Sequence, residues 1–151
     1  MGRQYKTITE VFDFGPHISK VILHVGRSLK GAKLTENQFR VSVKRTAMSG
    51  EDFAWPVFMG EKPDDSMKGT LRITDLYVSD AEGSCVEDGE YITLCMYCDP
   101  REGLGSIIRF DGNFNVTVNT AYKIVQLVPI ETGADTLEGL VFDENGGNRR
   151  S

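Results

Sequence analysis

Hydrophobic and polar residues alternate along several short stretches of this 151-residue chain. The clearest alternation covers residues 39–44, where Phe39, Val41 and Val43 are separated by polar side chains. A period of two places the apolar side chains on one face of a β-strand and the polar ones on the other. We therefore predict a half-buried strand at residues 39–44, with its apolar face toward the core.

The run from residue 12 to residue 25 follows the same principle after an interruption. Gly15 and Pro16 indicate a turn or a bulge, because glycine permits unusual backbone angles and proline fixes its own φ. One face of the strand that follows is mostly apolar: Ser19, Val21, Leu23 and Val25. The other face is mixed, as expected of a strand half-buried in a sheet.

Further strands are predicted at residues 5–11, 70–79, 91–97, 106–110, 114–118 and 122–128. Within residues 70–79 the alternation slips near Thr74 and Asp75, which predicts a β-bulge. Turn signals follow at residues 80–83 and 88–89. Helical periodicity of useful length is missing from the sequence, and the strands recur at roughly ten-residue spacing. This pattern predicts an all-β sandwich of about 7–9 short strands.

Two connections lack any periodicity. Residues 27–37 read as a loop that Leu34 anchors to the core. Residues 46–69 are long and irregular, and such loops are usually functional or mobile. They contain four large apolar side chains: Phe53, Trp55, Phe58 and Met59. If exposed, these four residues form an interaction surface for a partner, a neighbouring domain or a sugar ring; otherwise they fold back over an open end of the sandwich.

The end of the chain changes in composition. Residues 129–151 are rich in Gly, Asp, Glu, Thr and Asn, which is typical of a linker. We therefore predict a sandwich domain at residues 1–128 and an acidic, Gly-rich tail or linker at residues 129–151. Four apolar residues of this tail could dock as a short edge element: Leu137, Leu140, Val141 and Phe142.

Composition excludes several classes of function. Hydrophobic residues make up 40% of the chain and charged residues 26%, which is ordinary for a soluble domain. The net charge of −5 argues against a nucleic-acid-binding surface. Apolar runs are all much shorter than the roughly 20 residues that span a bilayer. We see no signal peptide, and both cytoplasmic and secreted (signal removed) locations stay open. Three cysteines do not form a disulfide framework.

The sequence contains only weak signals for catalytic and metal-binding sites. Cys95 and Cys98 spell C-x-x-C, but a spacing of three in a strand places the sulfurs on opposite faces. His17, expected at the surface or in a turn, and His24 are the only histidines, and a serine elbow of the G-x-S-x-G type is missing. The acidic clusters do not match an EF-hand. We assign no catalytic, cofactor-binding or metal-binding residue, expect no cofactor, and expect this chain alone not to be an enzyme.

Three stretches carry a family resemblance. They are residues 12–21, residues 34–43 with an L-x-x-x-x-F-x-V pattern on Leu34, Phe39 and Val41, and residues 73–94. Together they resemble the immunoglobulin-like N-terminal domain of a group of bacterial α/β-hydrolase esterases, over roughly residues 7–127. The resemblance implies an immunoglobulin-like antiparallel β-sandwich.

The same resemblance implies a role. In such proteins this domain precedes the catalytic domain, is not itself catalytic, helps assembly and shapes access to the active site. The implied partners are an α/β-hydrolase domain in the same chain, to which residues 129–151 would lead, and further copies in a homo-oligomer. Two other functions stay open: a free-standing carbohydrate-binding or adhesive sandwich, and an enzyme in its own right.

Overall fold

The structure is a computed structural model, and it describes residues 3–12, 15–46, 68–98, 108–110, 115–117, 119–133 and 136–150. Most of these residues lie in β-strands. The strands are β1 (Arg3–Phe12), β2 (Gly15–His24), β3 (Phe39–Thr46), β4 (Lys68–Leu71), β5 (Ile73–Ser79), β6 (Tyr91–Met96), β7 (Ile108–Phe110), β8 (Asn115–Thr117), β9 (Asn119–Gln126), β10 (Ile130–Glu131), β11 (Thr136–Leu137) and β12 (Val141–Arg150). A short 3₁₀ helix, Glu36–Gln38, precedes β3.

Eight of these strands form one sheet in the order β4-β3-β9-β12-β1-β2-β6-β5, and the short pairs β10–β11 and β7–β8 stand apart from it. The predicted all-β fold is therefore confirmed. The described residues form twelve strands rather than the predicted seven to nine, because the two small sheets add four strands of two or three residues. One pair in the main sheet differs from the antiparallel expectation: β1 and β12 run parallel.

Pairing within the main sheet is shortest between β9 and β12. These strands pair only through Val125–Val141 and Ile124–Phe142, whereas β12 follows β1 as far as Arg150. We call this junction the seam. Buried side chains from β3, β4 and β9 and from β1, β2, β6 and β12 belong to a single core. The sheet therefore forms two layers around that core: a first layer of β4, β3 and β9, and a second layer of the other five strands.

A tyrosine pair joins the two layers beside the seam. The backbone N–H of Tyr122 on β9 donates to the phenol oxygen of Tyr5 on β1 at 2.9 Å. The two ring centroids are 6.0 Å apart, and both residues are only 2% exposed. Because the pairing of β9 with β12 ends at Ile124, the Tyr5 phenol accepts a hydrogen bond that a neighbouring strand would otherwise accept.

The predicted alternation in β3 is confirmed. Phe39, Val41 and Val43 are buried, whereas Arg40 and Lys44 are exposed. The predicted bulge is also present, since the β5–β6 register shifts between Ile73 and Asp75. The hydrophobic pattern of β3 therefore predicted correctly which of its side chains face the core and which face outward.

The stretch predicted as one strand at residues 70–79 is two strands. β4 pairs with β3 in the first layer, and β5 pairs with β6 in the second layer. The chain crosses between the layers at Arg72, whose carbonyl accepts the backbone N–H of Tyr97. The hydrophobic pattern continues through this crossing because both strands contribute to the same core, through Leu71 and Ile73.

Two leucines anchor the loop after β2: the predicted Leu34, which packs against the core, and Leu29, which lies deeper. Leu29 is fully buried, and its backbone N–H donates to the carbonyl of Gly89 at 2.9 Å. Leu34 is only partly buried against the core. Gly89 itself lies so close to the carbonyl oxygen of Ser79 that a Cβ atom would stand 2.2 Å from it. A side chain at position 89 would therefore force the two segments apart.

The segment predicted as a tail contributes to the core and to the middle of the sheet. Its buried apolar residues are Ile130, Leu137, Leu140 and Phe142. The expected edge position of residues 137–142 is wrong, because β12 lies between β9 and β1. Residues 143–147 are exposed, so a polar composition is compatible with a strand held mainly by its backbone. That residues after 128 lead toward a catalytic domain stays a prediction.

The tyrosine pair yields a stability prediction. Tyr5→Phe keeps the ring but leaves the buried N–H of Tyr122 without its phenol acceptor, which costs roughly 1–3 kcal/mol. We expect the midpoint of thermal unfolding, followed by circular dichroism, to fall by several degrees. Tyr91→Phe is the matched control, because its ring stacks on His24 at 4.7 Å and phenylalanine preserves that contact. Equal melting temperatures for the two variants would contradict this role of Tyr5.

Candidate functional site

The predicted interaction residues Phe53, Trp55, Phe58 and Met59 lie outside the described residues. The structure does describe the strands on both sides of them. β3 ends at Thr46, which pairs with Asn119, and β4 begins at Lys68, which pairs with Lys44. The connection that carries the four residues therefore starts and finishes at one end of the first layer.

Strand directions place other chain segments at this same end, which we call the Thr46 end. β9 runs away from it and β12 runs back toward it, because the two strands are antiparallel. β1 is parallel to β12, so Phe12 and Arg150 both lie at the Thr46 end. A chain that continues past Arg150 therefore leaves the sandwich at the end where the connection from Thr46 to Lys68 is rooted.

An open cavity of about 700 Å³ lies on the first layer beside the seam. Residues from four strands line it: Ser42, Val43, Lys44, Thr70, Ala121, Tyr122, Lys123 and Asp143. Two lysines and two hydroxyl groups thus surround a depression in which the small Ala121 side chain leaves space. The lining is therefore mixed: apolar residues lie beside the ammonium groups of Lys44 and Lys123, and one carboxylate, Asp143, lies among them. The two ammonium groups and the two hydroxyl groups can bind oxygen anions at this surface.

The histidine and serine that lie closest in sequence do not form a nucleophile–base pair. Ser19 lies where the β1–β2 register shifts, and its hydroxyl donates to the Glu10 carboxylate at 2.8 Å. His17 pairs with Glu10 across the two strands and is only 4% exposed. A catalytic serine instead donates to an imidazole that a substrate can approach. The Ser19 hydroxyl is therefore bound to the Glu10 carboxylate and not to the imidazole of His17.

The expected surface or turn position of His17 is wrong. Gly15 and Pro16, predicted as a turn or a bulge, both belong to β2 and pair with Phe12 and Val11. His17 thus lies inside a paired strand, where the ring of Phe12 meets its imidazole edge-on at 6.4 Å between centroids. Proline is tolerated near the start of a strand, so it did not mark the end of the turn.

The C-x-x-C cysteines lie in surroundings that disfavour thiolates. Cys95 is half-buried in β6 and pairs with Lys20, and Cys98 is half-buried two residues beyond that strand. Burial raises the pKa of both thiols, and at Cys95 the nearby Lys20 offsets part of the effect. Redox and metal chemistry needs thiolate. The described residues contain no group of three His, Cys, Asp or Glu placed to hold a metal.

The sequence did not reveal that the polar residues lining the cavity beside Ser42 lie together. Its polar positions in β3 and β9 are visible as the outward halves of two alternating patterns. Their contact depends on the register that places Ser42 opposite Lys123, and the two residues are far apart in sequence.

In the described part of the chain, helices long and apolar enough to cross a membrane are absent.

Comparisons with known proteins agree with this architecture. The family described as the esterase Ig-like N-terminal domain matches residues 4–139. A solved structure of a thermostable esterase superposes with a TM-score of 0.71 and 23% sequence identity, covering 97% of this chain and 35% of that chain. This likeness shows the fold, and the present chain spans about a third of that esterase. Among curated proteins, no relative matches the sequence.

The cysteine environments yield a reactivity prediction. At mildly alkaline pH, iodoacetamide should modify exposed Cys85 first and Cys95 and Cys98 several-fold more slowly, because burial restricts access and a raised pKa lowers the thiolate fraction. Mass spectrometry of the digested protein measures the three rates separately. Unfolding in denaturant should equalise them. Faster modification of Cys95 or Cys98 than of Cys85 in the folded protein would contradict the assignment of these thiols as inert.

Proposed function

We propose that this chain, which belongs to the family of esterase immunoglobulin-like N-terminal domains, is a non-catalytic accessory domain of a longer esterase. In this role it contacts an α/β-hydrolase domain of the same chain or another copy, and it shapes access to the active site of that domain. The observation that supports this proposal best is that β12 ends, at Arg150, at the same end of the sandwich where β3 ends and β4 begins.

The direction of β12 gives this proposal its geometry. β12 runs along β1 as far as the pair Thr9–Arg150, so the chain leaves the sheet at the Thr46 end. A catalytic domain that follows would start there, next to the connection that carries Phe53, Trp55, Phe58 and Met59. Large aromatic side chains bury 150–250 Å² each and dominate interface energetics, so these residues are suited to an interdomain or intersubunit contact.

The geometry of the polar groups supports a non-catalytic role. The Ser19 hydroxyl donates to Glu10 and the adjacent His17 is buried, so neither presents a nucleophile to a substrate. Burial also raises the pKa of the Cys95 and Cys98 thiols, which reduces their nucleophilic form. In this proposal the catalytic serine belongs to the hydrolase domain, and the present domain acts by position.

Trp55 tests the contact surface. In the parent chain, Trp55→Ala should shift the enzyme toward smaller oligomers or looser domains, seen by analytical ultracentrifugation and small-angle scattering. A buried interface tryptophan typically contributes about 2 kcal/mol or more, so a self-association constant should weaken by roughly tenfold or more. The melting temperature of the 151-residue domain should stay nearly unchanged.

Leu127→Ala is the matched control for this experiment. Leu127 is an apolar side chain that is 49% exposed and follows β9 at the opposite end of the sandwich. Its truncation should leave both association and melting temperature unchanged. A large drop in melting temperature for Trp55→Ala, with unchanged association, would contradict the proposed surface and make Trp55 a core residue.

A further inference from the structure

The outer face of the first layer concentrates positive charge. Ser42 on β3 pairs with Thr70 on one side and with Lys123 on the other, and Lys44 pairs with Ala121. Directly opposed side chains on one face of a sheet have Cβ atoms about 4.5–5.5 Å apart. Arg40 lies on the same face, two positions before Ser42. Three exposed cations, Arg40, Lys44 and Lys123, thus share one face, which we call the cationic face.

This sign is opposite to that of the whole chain. The net charge is −5, and a group of carboxylates lies on the connection between β5 and β6 in the second layer: Asp80, Glu82, Glu87, Asp88 and Glu90. Asp143 lines the cavity of the cationic face from β12. The two layers are therefore electrostatically different, and a cationic face on an acidic protein favours a partner surface of negative charge.

The relief of the cationic face favours a protein surface as the partner. Its cavity of about 700 Å³ is open and is lined from strands β4, β3, β9 and β12. Ser42, Thr70 and Ala121 are short side chains beside the longer Lys44 and Lys123, so the face is recessed next to these two cations. Carboxylate side chains projecting from a partner can reach into such a recess and meet both ammonium and hydroxyl groups.

We propose that the cationic face docks on a carboxylate-rich surface of the hydrolase domain that follows in the parent chain. This inference rests on the proposed function and adds the face and the charge of the partner surface. Lys44 is two residues from the end of β3, and Arg150 lies at the same Thr46 end. A domain tethered after Arg150 is therefore held near this face, which raises its effective concentration there.

Lysine footprinting tests the inference directly. The 151-residue domain and the parent chain are each treated briefly with an acetylating reagent, and mass spectrometry gives the rate at each lysine. Lys44 and Lys123 should react several-fold more slowly in the parent chain. Lys30 and Lys33, exposed on the loop after β2, should react equally in both proteins and serve as internal controls.

The footprint tests the cationic-face inference and the proposed function separately. If the parent chain protects Trp55 from oxidation but leaves Lys44 and Lys123 as reactive as in the isolated domain, the cationic-face inference is overturned and the proposed function stands. If the parent chain protects no part of this domain, the proposed function is overturned and the inference with it.

Charge reversal gives an independent readout in the parent chain. Lys44→Glu with Lys123→Glu should accelerate protease cleavage between the two domains several-fold at low salt, because like charges then face each other. The effect should shrink at high salt, where screening shortens the range of the repulsion. Lys44→Gln with Lys123→Gln should give an intermediate rate, and this pair serves if the reversed pair fails to fold.

Lys30→Glu with Lys33→Glu is the matched control, since it changes the net charge equally on a different surface. Its cleavage rate should equal that of the unchanged parent chain. Equal acceleration by both reversed pairs would reveal a general effect of net charge and overturn the inference. Unchanged cleavage in every variant would overturn it as well.

Discussion

The hydrogen bond from the Tyr122 N–H to the Tyr5 phenol marks the constraint on which the fold depends: strands β9 and β12 must stop pairing after two residue pairs. If they continued to pair, the eight strands would form a more extended sheet, and side chains such as Val41 and Leu94 could not share one core. Separating two strands leaves backbone groups without partners in a buried place, which is costly unless another group accepts them. The Tyr5 phenol accepts one of them.

The same separation positions the functional features. Freed from β9, β12 follows β1 and carries the chain to the Thr46 end. The cavity of the cationic face lies where the strands diverge, and Asp143 is the first residue of β12 beyond the last pair with β9. Burial, with a smaller contribution from the charge of Asp143, also raises the pKa of Tyr5, so the phenol stays protonated at neutral pH. Architecture and candidate site therefore share one structural origin.

The sequence predicted what periodicity can report. Strand β3 shows as a regular alternation of apolar and polar residues, and the bulge in β5 shows as a slip in such an alternation. The fold class and several strands could therefore be predicted from the pattern alone. The second half of β12 leaves no such signal, because residues 143–147 are exposed and the strand is held through its backbone. The layer crossing at Arg72 was hidden for the opposite reason, since Leu71 and Ile73 continue one apolar pattern into the same core.

The site was less predictable than the fold, because it depends on register. Arg40 and Lys44 are visible as outward positions of β3, but only strand pairing shows that Lys123 stands beside Ser42. His17 was misplaced because Gly15 and Pro16 gave a turn signal inside a strand. Phe53, Trp55, Phe58 and Met59 stay a sequence-based prediction, and their proposed role follows from where Thr46 and Lys68 hold the ends of their connection.

The central claim, that this domain is a non-catalytic part of a longer esterase, is tested most directly with a fluorophosphonate probe that labels catalytic serines. An extract of the source cells is labelled, and an antibody to this domain isolates the chains that carry it. The account predicts a labelled band far above 16.8 kDa and no labelling of the purified 151-residue chain. An unlabelled native band at 16.8 kDa, or labelling of the purified chain, would contradict it.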